Sequence, residues 1–190
     1  MAADPGPVTD KASWRKRLRQ LRVEPEQEAE EQIVAGLKTF LDQRTGLFLF
    51  YRPMRTEISL DGLADELGWE RFAVTRTPQS GGLTVHSAAG LTEQHRYGYT
   101  QPLEDADEVS FERISVVLVP GLGFDWEGNR LGQGAGYYDE LLARIPDRCI
   151  RVGVATQGFI FEKLPTEPHD VPMTHLASES GVKAVAKPSL

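Results

Sequence analysis

Short, largely apolar segments alternate along the chain with longer segments in which apolar residues recur every three or four positions. The short segments have the length of strands buried on both faces, and the longer ones have the period of amphipathic helices. Turn-forming residues, such as Ser-Gly-Gly at 80–82, separate them. This pattern predicts strands over the segments 47–51, 71–76, 83–89, 115–120 and 149–155.

Four segments carry the helical period. The first begins at Lys11, where Asp10 is suited to cap the helix N-terminus, and Trp14, Leu18 and Leu21 form its apolar stripe. The other three are predicted from apolar residues that share one helical face, namely Ile33, Val34, Leu37 and Leu41, then Leu60, Leu63, Ala64 and Leu67, and finally those of the segment 137–145.

Apolar strands that alternate with amphipathic helices are typical of α/β proteins whose sheet is covered on both faces. We therefore expect an α/β fold with a mostly parallel or mixed open sheet flanked by helices. The sequence contains no internal repeat and no linker long enough to divide it. The prediction is a single domain over 8–180, with flexible tails at 1–7 and 181–190.

Composition narrows the class of protein. The 190 residues are 40% hydrophobic and 26% charged, which is ordinary for a globular domain and excludes a disordered or collagen-like chain. The single cysteine, Cys149, cannot form an internal disulfide, and the N-terminal MAADPGPVTD lacks the features of a secretory signal. No apolar run approaches the roughly 18 residues that span a bilayer. We expect a cytoplasmic protein without a membrane partner.

The net charge of −7 is unevenly distributed along the chain. Residues 11–22 hold six basic side chains and no acid, so the remainder is strongly acidic. An anionic ligand must therefore be bound locally and not by the field of the whole protein. The six basic residues are Lys11, Arg15, Lys16, Arg17, Arg19 and Arg22.

A glycine-rich segment, 121–136, lies between the predicted strand 115–120 and the last predicted helix. Open α/β sheets bind ligands at the carboxyl ends of their strands, and small residues before a helix let backbone N–H groups approach a phosphate. Arg130 could donate two hydrogen bonds to a phosphate, and Asp139 could hold Mg²⁺ beside it. The segment matches neither a Walker loop nor the dinucleotide fingerprint. The alternative is a hairpin at 125–129 and a helix start that bind no ligand.

The stretch 119–142, VPGLGFDWEGNRLGQGAGYYDELL, resembles the signature of the 5-formyltetrahydrofolate cyclo-ligase family. That signature runs Pro-Gly-x-x-Phe-Asp, then Gly-x-Arg-Leu-Gly-x-Gly-x-Gly-Tyr-Tyr-Asp. The resemblance covers about residues 8–178 and implies a fold similar to that of sugar-phosphate isomerases and CoA-transferases. Outside the signature, it rests in chain order on Lys11, Arg15, Met54, Glu57, Ile58, Leu164, Pro165, His169 and Asp170.

The resemblance implies an ATP- and Mg²⁺-dependent ring closure. In this family the formyl oxygen on N5 of the reduced folate attacks the γ-phosphate of ATP, and N10 then adds to the activated carbon. Phosphate leaves, and the products are 5,10-methenyltetrahydrofolate, ADP and phosphate. Phosphorylation is needed because the amide-like formyl oxygen is a poor leaving group, so the protein mainly positions the reactants and neutralises charge.

The resemblance also assigns roles to residues. Arg130 and Tyr138 are expected to be catalytic, and Asp139 and Asp170 are expected to bind Mg²⁺. The residues expected to bind ATP are Lys11, Arg15, Arg130, Leu131, Gly132, Gln133, Gly134, Ala135, Gly136, Tyr137 and Tyr138. Those expected to bind the folate are Arg52, Met54, Glu57, Gly134, Ala135, Gly136 and Tyr137.

Some features of the sequence stay open. Ala135 stands where relatives often have Gly or Lys, Gln101 replaces an acid, and Asp125 is either catalytic or a turn former. Lys16, Arg17, Arg19 and Arg22 match no specific role and are interpreted as solvated or steering charges.

Two other functions compete with the cyclo-ligase. One is an enzyme of related fold that acts on a sugar phosphate or thioester. The other is a non-enzymatic protein that binds nucleic acid through its basic helix, against which stands the acidic remainder of the chain. If the protein is a cyclo-ligase, we expect a monomer that acts on small molecules and binds no nucleic acid.

Overall fold

A computed structural model of the chain describes residues 10–77, 81–95 and 98–185. The predicted tail 1–7 lies outside these residues. The α-helices are α1 (Lys11–Leu21), α2 (Gln27–Asp42), α3 (Asp61–Leu67) and α4 (Tyr137–Arg144). The strands are β1 (Leu47–Phe50), β2 (Phe72–Arg76), β3 (Thr84–Ser87), β4 (Leu91–Gln94), β5 (Thr100–Pro102), β6 (Ile114–Val119), β7 (Gly123–Asp125), β8 (Arg130–Leu131), β9 (Ile150–Val154), β10 (Ile160–Phe161), β11 (His175–Ser178) and β12 (Gly181–Ala184).

The main sheet has seven strands in the order β12–β11–β9–β6–β1–β2–β3. Its five central strands are parallel, and β3 and β12 run antiparallel at the two edges. A three-stranded sheet, β10–β7–β8, and the hairpin β4–β5 stand beside it. The predicted α/β fold with a mostly parallel sheet is confirmed. The chain order reverses between β1 and β6, which is where such sheets leave a crevice for a ligand.

Apolar clusters cover both faces of the main sheet. On one face, Ile33, Leu37 and Leu41 of α2 pack against buried side chains of β1, β2 and β6. On the other face, Leu141 and Leu142 of α4 pack against residues of the same strands. These residues fall on the predicted apolar faces, so the helical periodicity identified the sides that are buried.

Helix α1 docks separately, on the small sheet. Its predicted stripe is buried at Trp14 and Leu18, which pack with Leu131 and Leu164, whereas Leu21 is exposed. The predicted N-cap is also present, because the carboxylate of Asp10 accepts a hydrogen bond from the backbone N–H of Ser13 at 2.9 Å. The basic face of this helix is thereby held beside the strands that carry the glycine-rich segment.

The prediction of a flexible tail at 181–190 is wrong for residues 181–184. Gly181–Ala184 forms β12, which pairs antiparallel with β11 and closes the edge of the sheet. The tight turn before it depends on Gly181, whose φ is +89°. The short sequence GVKA has a single apolar branched residue, so it carries too weak a pattern to be predicted as a strand.

The hairpin of β7 and β8 is built around Asp125, which is fully buried. One carboxylate oxygen accepts the backbone N–H groups of Glu127 and Asn129 at 3.0 and 2.9 Å. The other accepts the side-chain amide of Asn129 and the backbone N–H of Leu164, both at 2.9 Å. All four bonds are internal to the fold, so the open question about Asp125 is answered in favour of a structural turn former.

Replacing Asp125 by alanine is expected to lower the free energy of unfolding by about 3 kcal/mol, because several buried N–H groups lose their acceptor together. Chemical denaturation followed by circular dichroism measures this change. Glu127→Ala, at an exposed position of the same turn, is the matched control and is expected to change stability by less than about 0.5 kcal/mol. Equal stability of the two variants would contradict the structural role.

Candidate active site

A cavity of about 420 Å³ opens at the carboxyl ends of β1, β2 and β6. It therefore lies at the point where the chain order of the main sheet reverses. Its wall combines the loop after β1, the end of β2, the start of the glycine-rich segment and the N-terminus of α4. The lining residues are Tyr51, Arg52, Met54, Glu57, Thr75, Thr77, Leu83, His95, Tyr99, Pro120, Gly121, Arg130, Gly132, Gln133, Gly134, Ala135, Gly136, Tyr137, Tyr138 and Asp139.

Most of the predicted site residues meet in this cavity, although they come from distant parts of the chain. Arg52, Met54 and Glu57 lie on one side, and Arg130 with the segment 132–139 lies on the other. The structure thus brings together the residues predicted to bind folate and most of those predicted to bind ATP. The predicted residues that do not line it are Lys11, Arg15, Leu131 and Asp170.

Glu57 is held in place by a turn of the loop after β1. The backbone N–H of Glu57 donates to the carbonyl of Met54 at 2.8 Å, and the Met54 N–H donates to Oε2 of Glu57 at 3.0 Å. Glu57 as a residue is only 9% exposed. Burial raises the pKa of Glu57 above its usual value, and the Met54 N–H and the charge of Arg22 oppose that rise. A fixed carboxylate with one oxygen bonded to backbone can accept a hydrogen bond from a ligand in the cavity.

Arg130 forms the opposite wall. It is 9% exposed, and its guanidinium donates to the carbonyl of Pro120 at 3.4 Å and to Oδ1 of Asp139 at 2.5 Å. A side chain at Gly132 would bring its Cβ within 2.6 Å of a guanidinium nitrogen, so the Arg130 guanidinium would have to shift from this position. The aromatic ring of Tyr138 lies 5.6 Å from the Arg130 guanidinium carbon. These contacts fix a fork-shaped cation at the edge of the cavity.

The glycine-rich segment supplies an exposed backbone between Arg130 and α4. Gly134 and Gly136 have positive φ angles of 99° and 77°, which other residues adopt only with strain. Gly136 caps α4 without a side-chain hydrogen bond, so the positive end of the helix dipole faces the segment uncovered by a side chain. This arrangement suits an anion such as a phosphate.

Helix α1 approaches the glycine-rich segment from outside the cavity. Nε of Arg15 donates to the carbonyl of Gly132 at 3.1 Å, and Arg19 donates to the carbonyl of Gln133. Arg19 was interpreted as a solvated charge, and although it is exposed, it contacts the segment directly. The two arginines add positive charge beside the backbone that would meet a phosphate.

Lys11, the first residue of α1, contacts two acidic side chains and not the glycine-rich segment. Its ammonium group donates to both carboxylate oxygens of Asp170 and to Glu167, each at 2.7 Å. Lys11 and Asp170 are nearly buried, with side chains 10% and 13% exposed. Together with the pair of Arg130 and Asp139, this gives two ion pairs between a basic side chain and an aspartate. In each, a residue predicted to bind phosphate holds a residue predicted to bind Mg²⁺.

Asp170 belongs to a group that could hold a metal. The ligand atoms of Glu167, His169 and Asp170 all lie within 4.8 Å of one another. Carboxylate oxygens are the donors that Mg²⁺ prefers, so the chemistry of the group fits a hard cation. Within the described residues Asp139 is not a member of this group. The structure therefore places one of the two predicted metal ligands in the cavity wall and the other beside Lys11.

Two of the predicted site residues have environments that the sequence did not indicate. Leu131 is fully buried in the cluster beneath α1, so its side chain contacts the core and not the cavity. Tyr138 packs partly between the two clusters of the main sheet, and desolvation raises the pKa of its phenol far above the usual value. The Tyr138 hydroxyl can therefore donate a hydrogen bond near neutral pH but cannot act as a base.

Some cavity residues were missed by the sequence analysis. Tyr51, Thr77 and Pro120 each directly follow a central parallel strand, so the rule that ligands bind at carboxyl ends could have found them. His95 and Tyr99 come from the tip of the β4–β5 hairpin, where their rings stack 4.6 Å apart. No feature of the sequence indicated that this hairpin reaches the cavity.

Comparison with known proteins places the chain among folate enzymes. The model of the 5-formyltetrahydrofolate cyclo-ligase family matches residues 8–179. Two 5-formyltetrahydrofolate cyclo-ligases align over most of their length. That of Haemophilus influenzae is 29% identical over 156 residues, which cover 77% of this chain and 83% of the relative. That of Escherichia coli is 27% identical over 180 residues, which cover 88% and 97%. A relative from Mycolicibacterium smegmatis is 41% identical over 71 residues, 37% of each chain.

Solved structures show the same fold. The NMR structure of Aquifex aeolicus 5,10-methenyltetrahydrofolate synthetase superimposes with a TM-score of 0.78 at 29% identity and covers 95% of both chains. A 5,10-methenyltetrahydrofolate synthetase from Mycoplasma pneumoniae gives a TM-score of 0.70 at 18% identity, covering 90% of this chain and 99% of that one. No helix among the described residues is long and apolar enough to span a membrane.

Proposed function

The chain belongs to the 5-formyltetrahydrofolate cyclo-ligase family, a family of ligases, and we propose that it converts 5-formyltetrahydrofolate and ATP into 5,10-methenyltetrahydrofolate, ADP and phosphate. The observation that carries this proposal is the single cavity that joins Glu57 and Met54 to Arg130 and the glycine-rich segment. One side of that cavity suits a flat, hydrogen-bonding ring. The other side suits a chain of phosphates.

The folate is bound at the side formed by the loop after β1. The fixed carboxylate of Glu57 accepts N–H donors from the edge of the pterin ring, much as an acidic side chain accepts from the edge of a base. The thioether of Met54 packs on the flat ring, for which its flexible and polarisable side chain is suited. These contacts orient N5 and its formyl group toward Arg130.

The triphosphate of ATP is bound by the glycine-rich segment and Arg130. The formyl oxygen attacks the γ-phosphorus, and the bond between that phosphorus and the bridging oxygen breaks to release ADP. N10 then adds to the activated carbon and loses its proton, and phosphate departs with the formyl oxygen. The guanidinium of Arg130 stabilises charge on the transferred group, and Tyr138 donates a hydrogen bond without accepting a proton.

We further propose that Asp139 and Asp170 hold Mg²⁺ with the nucleotide. Bound Mg²⁺ neutralises phosphate charge during the transfer. The support for this assignment is chemical, since both residues are carboxylates and each already lies beside a cation that would bind phosphate. Lys11 and Arg15 complete the phosphate site from α1.

The two competing functions have less support. A nucleic-acid-binding protein would present the basic face of α1 to solvent, whereas Arg15 and Arg19 contact the glycine-rich segment and Lys11 contacts Asp170. A sugar-phosphate or thioester enzyme would not need the paired carboxylates and cations. We therefore expect small-molecule substrates and a protein that works as a monomer in the cytoplasm.

Incubation of the protein with 5-formyltetrahydrofolate, ATP and Mg²⁺ tests the proposal directly. We expect the near-ultraviolet absorbance of the methenyl product to rise, with one ADP formed for each product molecule. Omission of ATP or of folate is the control, and neither mixture is expected to react. ATP hydrolysis that proceeds equally without folate, and without methenyl product, would refute the proposed function.

A further inference from the structure

The tip of the β4–β5 hairpin forms an aromatic part of the cavity wall. The rings of His95 and Tyr99 stack with their centres 4.6 Å apart and their planes 12° from parallel. The backbone N–H of His95 donates to the carbonyl of Tyr99 at 2.8 Å, so the two residues are joined through both backbone and rings. Both residues line the cavity, where aromatic side chains can pack on a flat ring with their faces or their edges.

The hairpin depends on side chains for its position. Among the described residues it forms a separate sheet of two strands, and β5 packs beside β2 of the main sheet. A hairpin of two strands is only marginally stable by itself in water. Because no backbone ladder joins it to the main sheet, side-chain contacts decide where its tip lies.

A polar cluster of Arg76, Glu93 and Gln101 connects the hairpin to β2. Arg76, the last residue of β2, is 4% exposed, and its Nη2 donates to the two carboxylate oxygens of Glu93 at 3.2 and 3.1 Å. Gln101 of β5 is 2% exposed, and its Nε2 donates to Oε1 of Glu93 at 2.8 Å. Glu93 and Gln101 face each other directly across the two strands. One carboxylate thus ties both strands of the hairpin to the main sheet.

This polar cluster is costly to leave incomplete. Glu93 points inward from β4, whereas its neighbours Thr92 and Gln94 are exposed. Nη1 of Arg76 donates to the carbonyl of Thr77 at 3.1 Å, and its Nε is buried without a hydrogen-bond partner among the described residues. If the hairpin moved away, Arg76 would lose the carboxylate with which it forms an ion pair, and a buried charge would stay behind. The polar cluster therefore favours one position of the hairpin.

The polar cluster lies next to the cavity in the chain. Glu93 is two residues from His95, and Gln101 is two residues from Tyr99. Side chains two apart on an extended chain point to the same face, so the position of the polar cluster is passed directly to the rings at the tip. On β2, the residues on either side of Arg76 also line the cavity. A shift of the polar cluster would thus displace one wall of the cavity against another.

Strand order indicates which ligand the rings meet. The glycine-rich segment follows β6, the loop with Met54 and Glu57 follows β1, and the hairpin packs beside β2. These strands lie in the order β6–β1–β2, so the strand that carries the proposed folate loop lies between the other two. His95 and Tyr99 are therefore expected to contact the folate and not the triphosphate.

We propose that Arg76, Glu93 and Gln101 are positioning residues for the folate site, which hold the stacked rings of His95 and Tyr99 against the bound folate. The inference rests on the proposed function, since it takes the folate as the ligand beside these rings. None of the three residues of the polar cluster lines the cavity. They act on the folate only through the rings at the tip.

The test is the dissociation constant of 5-formyltetrahydrofolate for Glu93→Gln, measured by titration calorimetry. This change keeps the size of the side chain and removes the charge that pairs with Arg76. Folate binding is expected to weaken about tenfold because the rings lose their fixed position, and ATP binding is expected to stay within about twofold of the original. Glu104→Gln, at an exposed position just after β5, is the matched control and is expected to change neither value.

The decisive comparison adds Glu93→Gln to a variant that carries His95→Ala and Tyr99→Ala. Loss of both rings is itself expected to weaken folate binding by about tenfold. Adding Glu93→Gln is then expected to weaken it by less than about twofold more, since the polar cluster has no rings left to position. An equal loss in both backgrounds would show a merely structural role and overturn the inference. Unchanged folate binding by the folded Glu93→Gln variant would overturn it as well.

Exchange of two side chains tests whether the polar cluster can be restored. Glu93→Gln together with Gln101→Glu returns a carboxylate and an amide to the same facing positions, and folate affinity is expected to recover to within about threefold of the original. If Glu93→Gln does not fold, Gln101→Leu replaces it in the comparison with the ring variant. It removes one hydrogen bond and keeps the ion pair, so a loss of about fivefold is expected. If the unmodified protein does not bind 5-formyltetrahydrofolate at all, the proposed function fails instead.

Discussion

Replacing Arg130 by methionine is expected to lower kcat by a factor of about 10³, because a fixed cation at the transferred phosphate is lost from a buried site. Arg130 as a residue is 9% exposed, and its guanidinium is held by the carbonyl of Pro120 and by Asp139. The Arg130 side chain therefore needs little rearrangement before it can contact the transferred phosphate. Arg130→Lys retains one charge but not the fork of donors, so an intermediate loss of about 10² is expected. Steady-state formation of the methenyl product measures both variants.

Arg148→Met is the matched control for this prediction. Arg148 is an exposed arginine that precedes β9, at the opposite end of the sheet from the cavity, and it pairs with Glu112. Its removal is expected to leave kcat within about twofold of the original. Circular dichroism and thermal unfolding establish that each variant is folded. A kcat of the folded Arg130→Met variant within threefold of the original would contradict the assigned role.

The alternation of apolar strands and amphipathic helices was sufficient to predict the main sheet. Segments such as 115–120 and 149–155 are mostly apolar because parallel strands are covered on both faces, and this gives a strong signal. The helix faces carried by Leu37 and Leu141 were equally clear. The pattern failed at β12, whose four residues lie at a sheet edge, half-buried or exposed, and so leave little trace in the sequence.

The glycine-rich segment could be predicted as part of a site because its chemistry is local. Gly136 adopts a positive φ just before α4, and a Cβ at Gly132 would press on the guanidinium of Arg130, two residues away. The reach of the β4–β5 hairpin could not be predicted, because His95 and Tyr99 enter the cavity through tertiary packing. Leu131 was assigned to ATP by its place in the signature, yet alternation along β8 turns its side chain into the core.

The basic segment 11–22 shows the same division between local and tertiary information. Its composition indicated an anion but could not distinguish its members, which look alike in the sequence. The structure separates them by the elements they meet. Lys11 meets Asp170, Arg15 meets the glycine-rich segment, and the half-buried Arg22 lies over the ring of Phe159. The basic side chains of one short helix thus serve three different places.

The two ion pairs of the site have a consequence for the order in which ligands can bind. Lys11 is bonded to Asp170 at 2.7 Å and Arg130 to Asp139 at 2.5 Å, so each proposed phosphate ligand is already neutralised by a carboxylate. ATP without Mg²⁺ would have to displace these carboxylates or bind beside them, and like charges at such distances repel. If Asp139 and Asp170 hold Mg²⁺ as proposed, the metal would give these carboxylates a new partner and leave Lys11 and Arg130 free to meet the phosphates. Nucleotide and metal are therefore expected to bind together.

The variants Asp139→Asn and Asp170→Asn are accordingly expected to bind ATP more tightly than the original protein in excess EDTA, by about tenfold each, because a like charge is removed. Asp139→Asn also releases Arg130, whereas in Asp170→Asn the ammonium group of Lys11 keeps its bond to Glu167. With Mg²⁺ present the variants are expected to bind ATP more weakly than the original protein, since each variant loses a metal ligand and gains little affinity from the ion. Titration calorimetry with and without Mg²⁺ measures both effects without relying on turnover.

Asp42→Asn is the matched control, since it breaks a Lys38–Asp42 pair on the surface of α2 and is expected to change neither value. Weaker or unchanged binding of metal-free ATP in both site variants would show that the carboxylates do not restrain Lys11 and Arg130, and the coupling of metal to nucleotide would have to arise elsewhere.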